Sequence, residues 1–338
     1  MMLFSSTSAV YLTAFISVIN AQFNTPKGAS ECGIQLKNKV PPKNGDCSIS
    51  GGIFSIGFPM ELMNYLSKKG LSMGSGSEDP KVSGAASETG SGKYPATMRV
   101  DPALPGHTIY APATPPDVEM PFLTWGNGAC GTNPHGAAKG QGGFGTGYDN
   151  FLKEIASHGY VIAANGPMSG SQSKNKDVRA SLDWAKGGGA KAYGKVDLSK
   201  IATMGHSCGG MEGMSVSYKN PDVKLTLMFN IATFYDDKRF LLKELKAPVA
   251  WFVGNPSDMG YENSRRDYGN LTEGHPAFWA SLDTGHMGTF KASYGGKEAK
   301  AAVKFLEWQF RGDTEAKEYC IGGGIKGEKW NVMSKNWT

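Results

Sequence analysis

The run Gly205-His206-Ser207-Cys208-Gly209 follows an apolar stretch at 201–204 and leads into a sequence able to continue as a helix through Tyr218. A G-x-S-x-G motif between a strand and a helix is the setting of a nucleophile elbow, a tight turn that lifts a serine hydroxyl off the C-terminal edge of a sheet. Glycines fit at 205 and 209 because side chains there would collide with neighbouring strands. The start of the following helix presents the Cys208 amide to a developing oxyanion. The chemistry suggested is nucleophilic attack on a carbonyl carbon.

A serine hydroxyl needs an imidazole to take its proton and a carboxylate to fix the tautomer of that imidazole. Of the six histidines, His275 and His286 lie far enough beyond the elbow to leave room for an acid on a separate loop. His286 is preferred, because Thr284-Gly285-His286-Met287-Gly288 follows the last strand-like run and precedes a terminal helix. His275 reads as a loop residue beside Pro276, His158 as the end of a helix, and His107 and His135 as loop residues without a chemical partner. His206 is the variable elbow position and can line the site without being the base. For the acid, Asp258 in Gly254-Asn255-Pro256-Ser257-Asp258 directly follows the apolar run 249–253, with Asp236 and Asp237 as runners-up and Asp283 as a neighbour of His286.

A second oxyanion donor is expected after the apolar run that ends at Trp125, in Gly126-Asn127-Gly128-Ala129-Cys130-Gly131. The Asn127 amide is assigned, with Gly128 as the alternative. Five cysteines leave one over. Cys130 and Cys208 are proposed to pair because the oxyanion loop and the elbow must lie side by side, Cys32 and Cys47 are close enough to close a local loop, and Cys320 is left free or exchanged into another pair. Gly140-Gln141-Gly142-Gly143-Phe144-Gly145 matches G-x-G-x-x-G but follows no strand directly, so dinucleotide binding is not expected. No Cys/His cluster has zinc spacing, and no cofactor is expected.

The elements that must position these residues are short apolar runs alternating with helical stretches. Strands are expected at 108–111, 120–125, 160–164, 201–204, 225–229, 249–253 and 277–281, and helices at 147–158, 177–186, after Cys208, and at 297–309. Such alternation means an α/β fold with a mostly parallel sheet and helices on both faces. Trp125, Trp251 and Trp279 sit in strands and read as core, with one of them available to line a subsite. Residues 22–93 form an irregular N-terminal extension whose Ser/Gly-rich part, 72–93, reads as a linker or mobile loop, and whose apolar island at 53–66 packs onto the domain at 94–338.

Residues 1–21 read as a secretory signal peptide cleaved near Ala21, with an apolar core at 9–19 too short to span a bilayer. The mature chain is therefore expected to be secreted, with sequons at Asn270-Leu271-Thr272 and Asn336-Trp337-Thr338 open to glycosylation. The chain has 338 residues, 40% hydrophobic and 19% charged, which excludes wholesale disorder, and its 46 glycines show no collagen period. The net charge of +5 comes from scattered lysines with no basic block, so no nucleic-acid partner is expected.

The elbow with its flanks 193–197 (YGKVD) and 204–210 (MGHSCGG), the phrase 156–161 (ASHGYV) and the ending 305–310 (FLEWQF) resemble the bacterial cutinase-like polyester hydrolases, which include the PET hydrolases, and their dienelactone-hydrolase-like relatives. The resemblance covers roughly 94–320. It implies an α/β-hydrolase fold without a large lid, hydrolysis of carboxylic esters, and no metal or cofactor requirement. Carried onto matching positions, it makes Ser207, Asp258 and His286 a triad, with the Asn127 and Cys208 amides as the oxyanion hole. This chain departs from those polyester hydrolases in having Asn127 where they carry an aromatic residue, Cys208 where they carry Met, and the extension before Tyr94. The expectation is a monomeric serine esterase acting on a small or polymeric ester. The alternatives are a lactone or amide hydrolase with the same triad, and a hydrolase-like binding protein with little turnover.

Overall fold

The computed structural model describes residues 38–42, 52–55, 74–80, 89–128, 147–165 and 175–337. The segment 1–21, Cys32, Cys47, Cys130, His135 and the G-x-G-x-x-G run 140–145 lie outside the described residues. Nine strands are present among the described residues: β1 (Ala96–Asp101), β2 (Leu104–Pro112), β3 (Met120–Gly126), β4 (Val161–Asn165), β5 (Val196–His206), β6 (Val223–Phe229), β7 (Val249–Val253), β8 (Ala277–Ser281) and β9 (Asn331–Lys335). They form one sheet in the order β1-β2-β4-β3-β5-β6-β7-β8-β9. From β4 across to β8 every pairing is parallel, while β1, β2 and β9 add antiparallel edges.

The helices α1 (Asp149–Ser157), α2 (Asn175–Lys186), α3 (Cys208–Ser217) and α4 (Tyr261–Asn270) lie in crossovers between parallel strands, and α5 (Gly296–Arg311) leads to the antiparallel β9. Successive strand residues point to opposite faces, so strands buried along their whole length require cover on both sides. On one face Leu123, Trp125, Met204, Leu227 and Phe252 meet Phe151 of α1 and Phe305 of α5. On the other, Phe122 and Ile201 meet Val178 and Leu182 of α2, and Met228 and Trp251 meet Met211 and Met214 of α3. Trp125, Trp251 and Trp279 are all buried in the core. Parallel strands end on the same side, so the loops after β3, β5, β6, β7 and β8 share one sheet edge, where ligand sites of open α/β sheets form.

Two expectations are corrected. His107 belongs to β2, where its Nε2–H donates to the Asp177 carbonyl at 2.7 Å; the strand runs further toward its N-terminus than the apolar run suggested. The described parts of 72–93 are bound to the domain and do not hang as a linker. A Cβ on Gly76 would lie 2.0 Å from the Asp283 carbonyl oxygen, so this glycine serves close approach of two backbones. In the described part of the apolar island, Ile53 and Phe54 are fully buried against α3, in a single 3-10 turn.

Candidate active site

Strand β5 ends at His206 and α3 starts at Cys208, leaving Ser207 between them at φ 53° and ψ −129°. A non-glycine residue in such a conformation carries about 1–3 kcal/mol of strain and persists only where its surroundings enforce it. Here the enforcing contacts are backbone to backbone. A Cβ on Gly209 would sit 2.1 Å from the carbonyl carbon of Gly126, and one on Gly205 would sit 2.4 Å from the Gly209 oxygen. The Ser207 N–H donates to the Phe229 carbonyl at 2.9 Å, fastening the turn to the end of β6.

The loop after β8 brings His286 Nε2 to 2.9 Å from Ser207 Oγ, and the loop after β7 brings Asp258 Oδ1 to 2.8 Å from His286 Nδ1. All three side chains are buried. A carboxylate only accepts, so Nδ1 carries the proton and the Nε2 lone pair faces the serine hydroxyl. Asp258 is itself held by donors: its Oδ2 accepts from the Gly254 amide at 2.9 Å and Asn230 Nδ2 at 3.1 Å, and its Oδ1 from the Gly260 amide at 3.1 Å. The other carboxylates point elsewhere. Asp236 pairs with Arg239 and Arg266, and Asp237 with Lys238. Asp283 accepts from Asn255 and then Ser77, bonds that lower its pKa to about 2. His275 donates to the Ala247 carbonyl at 2.9 Å and does not approach the serine.

His206 and Tyr148 form a second polar chain behind the first. His206 Nε2 lies 2.8 Å from the His286 carbonyl oxygen, which can only accept, so Nε2 is the protonated nitrogen. Its Nδ1 then accepts from the Tyr148 hydroxyl at 2.8 Å, and that oxygen accepts the Gly128 amide at 2.9 Å. Burial, followed by the neighbouring His286, pushes the His206 pKa well below the usual histidine range, so the ring is neutral. Tyr148 was not legible as a site residue; its one sequence signal is its position at the start of α1.

The Asn127 amide donates to Asn165 Oδ1 at 3.0 Å, and Asn165 Nδ2 donates to buried Glu212 at 2.8 Å. Both amides considered for the loop after β3, Asn127 and Gly128, are thus engaged within the protein. Cys208 is the first residue of α3. Its expected partner, Cys130, lies outside the described residues, and Cys320 is free and buried.

On the far side of His286, Glu298 of α5 accepts the Thr289 amide at 2.7 Å and is fully buried, which raises its pKa to about 8. Asn230 Nδ2 also reaches the Gly285 carbonyl at 3.4 Å, linking the acid and histidine loops. Neither residue carries a local sequence signal for this role, since each acts on loops remote in the chain. Among the described residues no group of three or more His, Cys, Asp or Glu side chains is placed to hold a metal ion.

No protein-family model matches the chain. Curated relatives do match over a short segment. Cutinase est2 of Thermobifida alba is 32% identical over 79 residues, which is 22% of this chain and 26% of the relative. Cutinase est1 of the same organism is 30% identical over 79 residues and 27% of its length, and cutinase 2 of Thermobifida cellulosilytica is 30% identical over 79 residues and 30% of its length. The chain therefore spans under a third of the relatives it matches. Sheet order, parallel core and this likeness agree.

The chain has a cutinase-like α/β-hydrolase fold.

In an α/β-hydrolase fold the order along the chain is nucleophile, acid, histidine. Ser207, Asp258 and His286 follow that order. No helix among the described residues is long and apolar enough to cross a membrane.

Proposed function

We propose that this protein is a secreted serine hydrolase that cleaves carboxylic esters through Ser207, His286 and Asp258. The observation that carries the reading is the continuous chain from Ser207 Oγ through both nitrogens of His286 to Asp258, at 2.9 and 2.8 Å. As Ser207 Oγ attacks the ester carbonyl carbon, Nε2 takes its proton and Asp258 stabilises the imidazolium. The tetrahedral intermediate collapses when His286 returns that proton to the leaving alcohol, giving an acyl-enzyme. Water, deprotonated by His286 in turn, attacks the acyl carbon and releases the acid and Ser207.

The oxyanion is assigned to the Cys208 amide at the start of α3, with the Asn127 amide as second donor. That amide is bonded to Asn165 Oδ1 at 3.0 Å, so the assignment requires this bond to open. Secretion rests on the segment 1–21. Both sequon asparagines, Asn270 and Asn336, are exposed, as glycosylation requires.

The test is hydrolysis of p-nitrophenyl esters from acetyl to palmitoyl by the wild type and Ser207→Ala. Activity that falls at least about a thousandfold in the variant is expected. No turnover of any ester by the wild type, or equal turnover by the variant, contradicts the reading.

A further inference from the structure

The acid and histidine of the candidate triad sit on two separate loops, and segment 74–80 of the N-terminal extension lies across both. Asn255 Nδ2, on the acid loop, donates to the Ser75 carbonyl at 2.8 Å. On the histidine loop, Ser77 Oγ donates to Asp283 Oδ2 at 2.6 Å, and the Glu78 amide to the Asp283 carbonyl at 2.9 Å. Asp79 completes the contact: its Oδ1 accepts the amide of Gly285, the residue immediately before His286, at 2.8 Å. Its Oδ2 accepts the Gly76 amide at 2.7 Å, which closes the segment's own turn on the same carboxylate. Glu78 anchors the far side through Lys297 at 2.6 Å and Lys329 at 2.8 Å.

Resting on the hydrolase reading above, we propose that segment 74–80 is a positioning element of the triad, acting through Asp79 on the backbone that carries His286. The Gly285 amide belongs to the stretch of main chain that sets the direction of the His286 side chain. A carboxylate acceptor makes that bond stronger than a neutral one would. Asp79 and Glu298 then hold the histidine loop at Gly285 and Thr289, on either side of His286. Reaction rate is steeply sensitive to such placement, a shift of about 1 Å costing up to ~100-fold. The glycine-rich composition of the segment is what allows this approach, since a Cβ at Gly76 would meet the Asp283 carbonyl at 2.0 Å.

The experiment measures kcat and KM for p-nitrophenyl butyrate, together with Tm, for the full chain and for Asp79→Ala and Asp79→Asn. Asp79→Ala is expected to lower kcat about tenfold with KM within about twofold. Asp79→Asn, which keeps an oxygen acceptor for the Gly285 amide while losing the charge, is expected to recover to within about threefold of wild type. Wild-type kcat in Asp79→Ala, or an equal loss in both variants, overturns the proposal. Should Asp79→Ala not fold, Gly76→Ala, which pushes the segment off Asp283, takes its place: a lowered kcat at unchanged KM supports the proposal and wild-type kcat overturns it. A wild type that hydrolyses no ester removes the hydrolase reading and this proposal together, whereas an active wild type with unaffected variants removes this proposal alone.

Discussion

Ser207 and His286, the proposed nucleophile and base, are held in place by opposite means. Ser207 is fixed by its own neighbours in sequence and by bare backbone: strand, turn and helix within 196–217, with Gly126, Gly205 and Gly209 in contact without side chains between them. His286 is fixed by side chains from distant parts of the chain. Asp258 holds its ring, Asp79 and Glu298 hold its loop at either end, and His206 reaches its carbonyl. The elbow is therefore a local motif that tolerates almost no added atom, and the histidine loop a convergence point that tolerates atoms but depends on several remote acceptors.

The largest effect is expected where this difference is attacked at the elbow. Gly209→Ala places a methyl 2.1 Å from backbone carbon of Gly126, so strand β3 and helix α3 must separate. A loss of about 3 kcal/mol, the upper end of ordinary overpacking, is expected in urea unfolding, together with loss of esterase activity. Near-wild-type stability and activity would show that the elbow is looser than its backbone contacts imply.

A smaller and pH-dependent effect is expected at the histidine loop. The Glu298 pKa rises from 4.5 to about 8 on folding, chiefly through burial. The folded state then holds a proton that the unfolded chain releases. Stability from this group is complete below the unfolded value of 4.5 and is lost as pH rises through about 8. Glu298→Gln removes the titration, so its Tm is expected to match the wild type near pH 5 and exceed it by at least about 3 °C near pH 9. A constant difference between the two proteins across that range would remove the ionisation of Glu298 from the account.

The same contrast explains how much was legible in the sequence. The parallel core was, since β7 and β8 coincide with the apolar runs 249–253 and 277–281. The elbow was legible because its signal is contiguous, and Asp258 and His286 because each lies just beyond an apolar strand. The edge strands β1 and β9 were not: β1 alternates apolar and polar residues, β9 has only Val332 and Met333 as apolar residues, and both are short stretches that bury little. Helix α4 was hidden because it buries Asn263, Ser264 and Asp267, with Asp267 bonded to Arg239 at 3.1 Å. Asp79 was hidden by distance, 206 positions from Gly285, and by glycines that suggested mobility but provide close contact. The engagement of the Asn127 amide by Asn165 also depends on a partner 38 positions away.

The central claim, that His286 activates Ser207, is tested most directly by labelling the folded protein with a fluorophosphonate and following the intact mass. The account predicts one adduct per wild-type chain, none in Ser207→Ala, and labelling slowed at least about 100-fold in His286→Ala. Labelling of Ser207→Ala to the same extent, or an unchanged rate in His286→Ala, would contradict it.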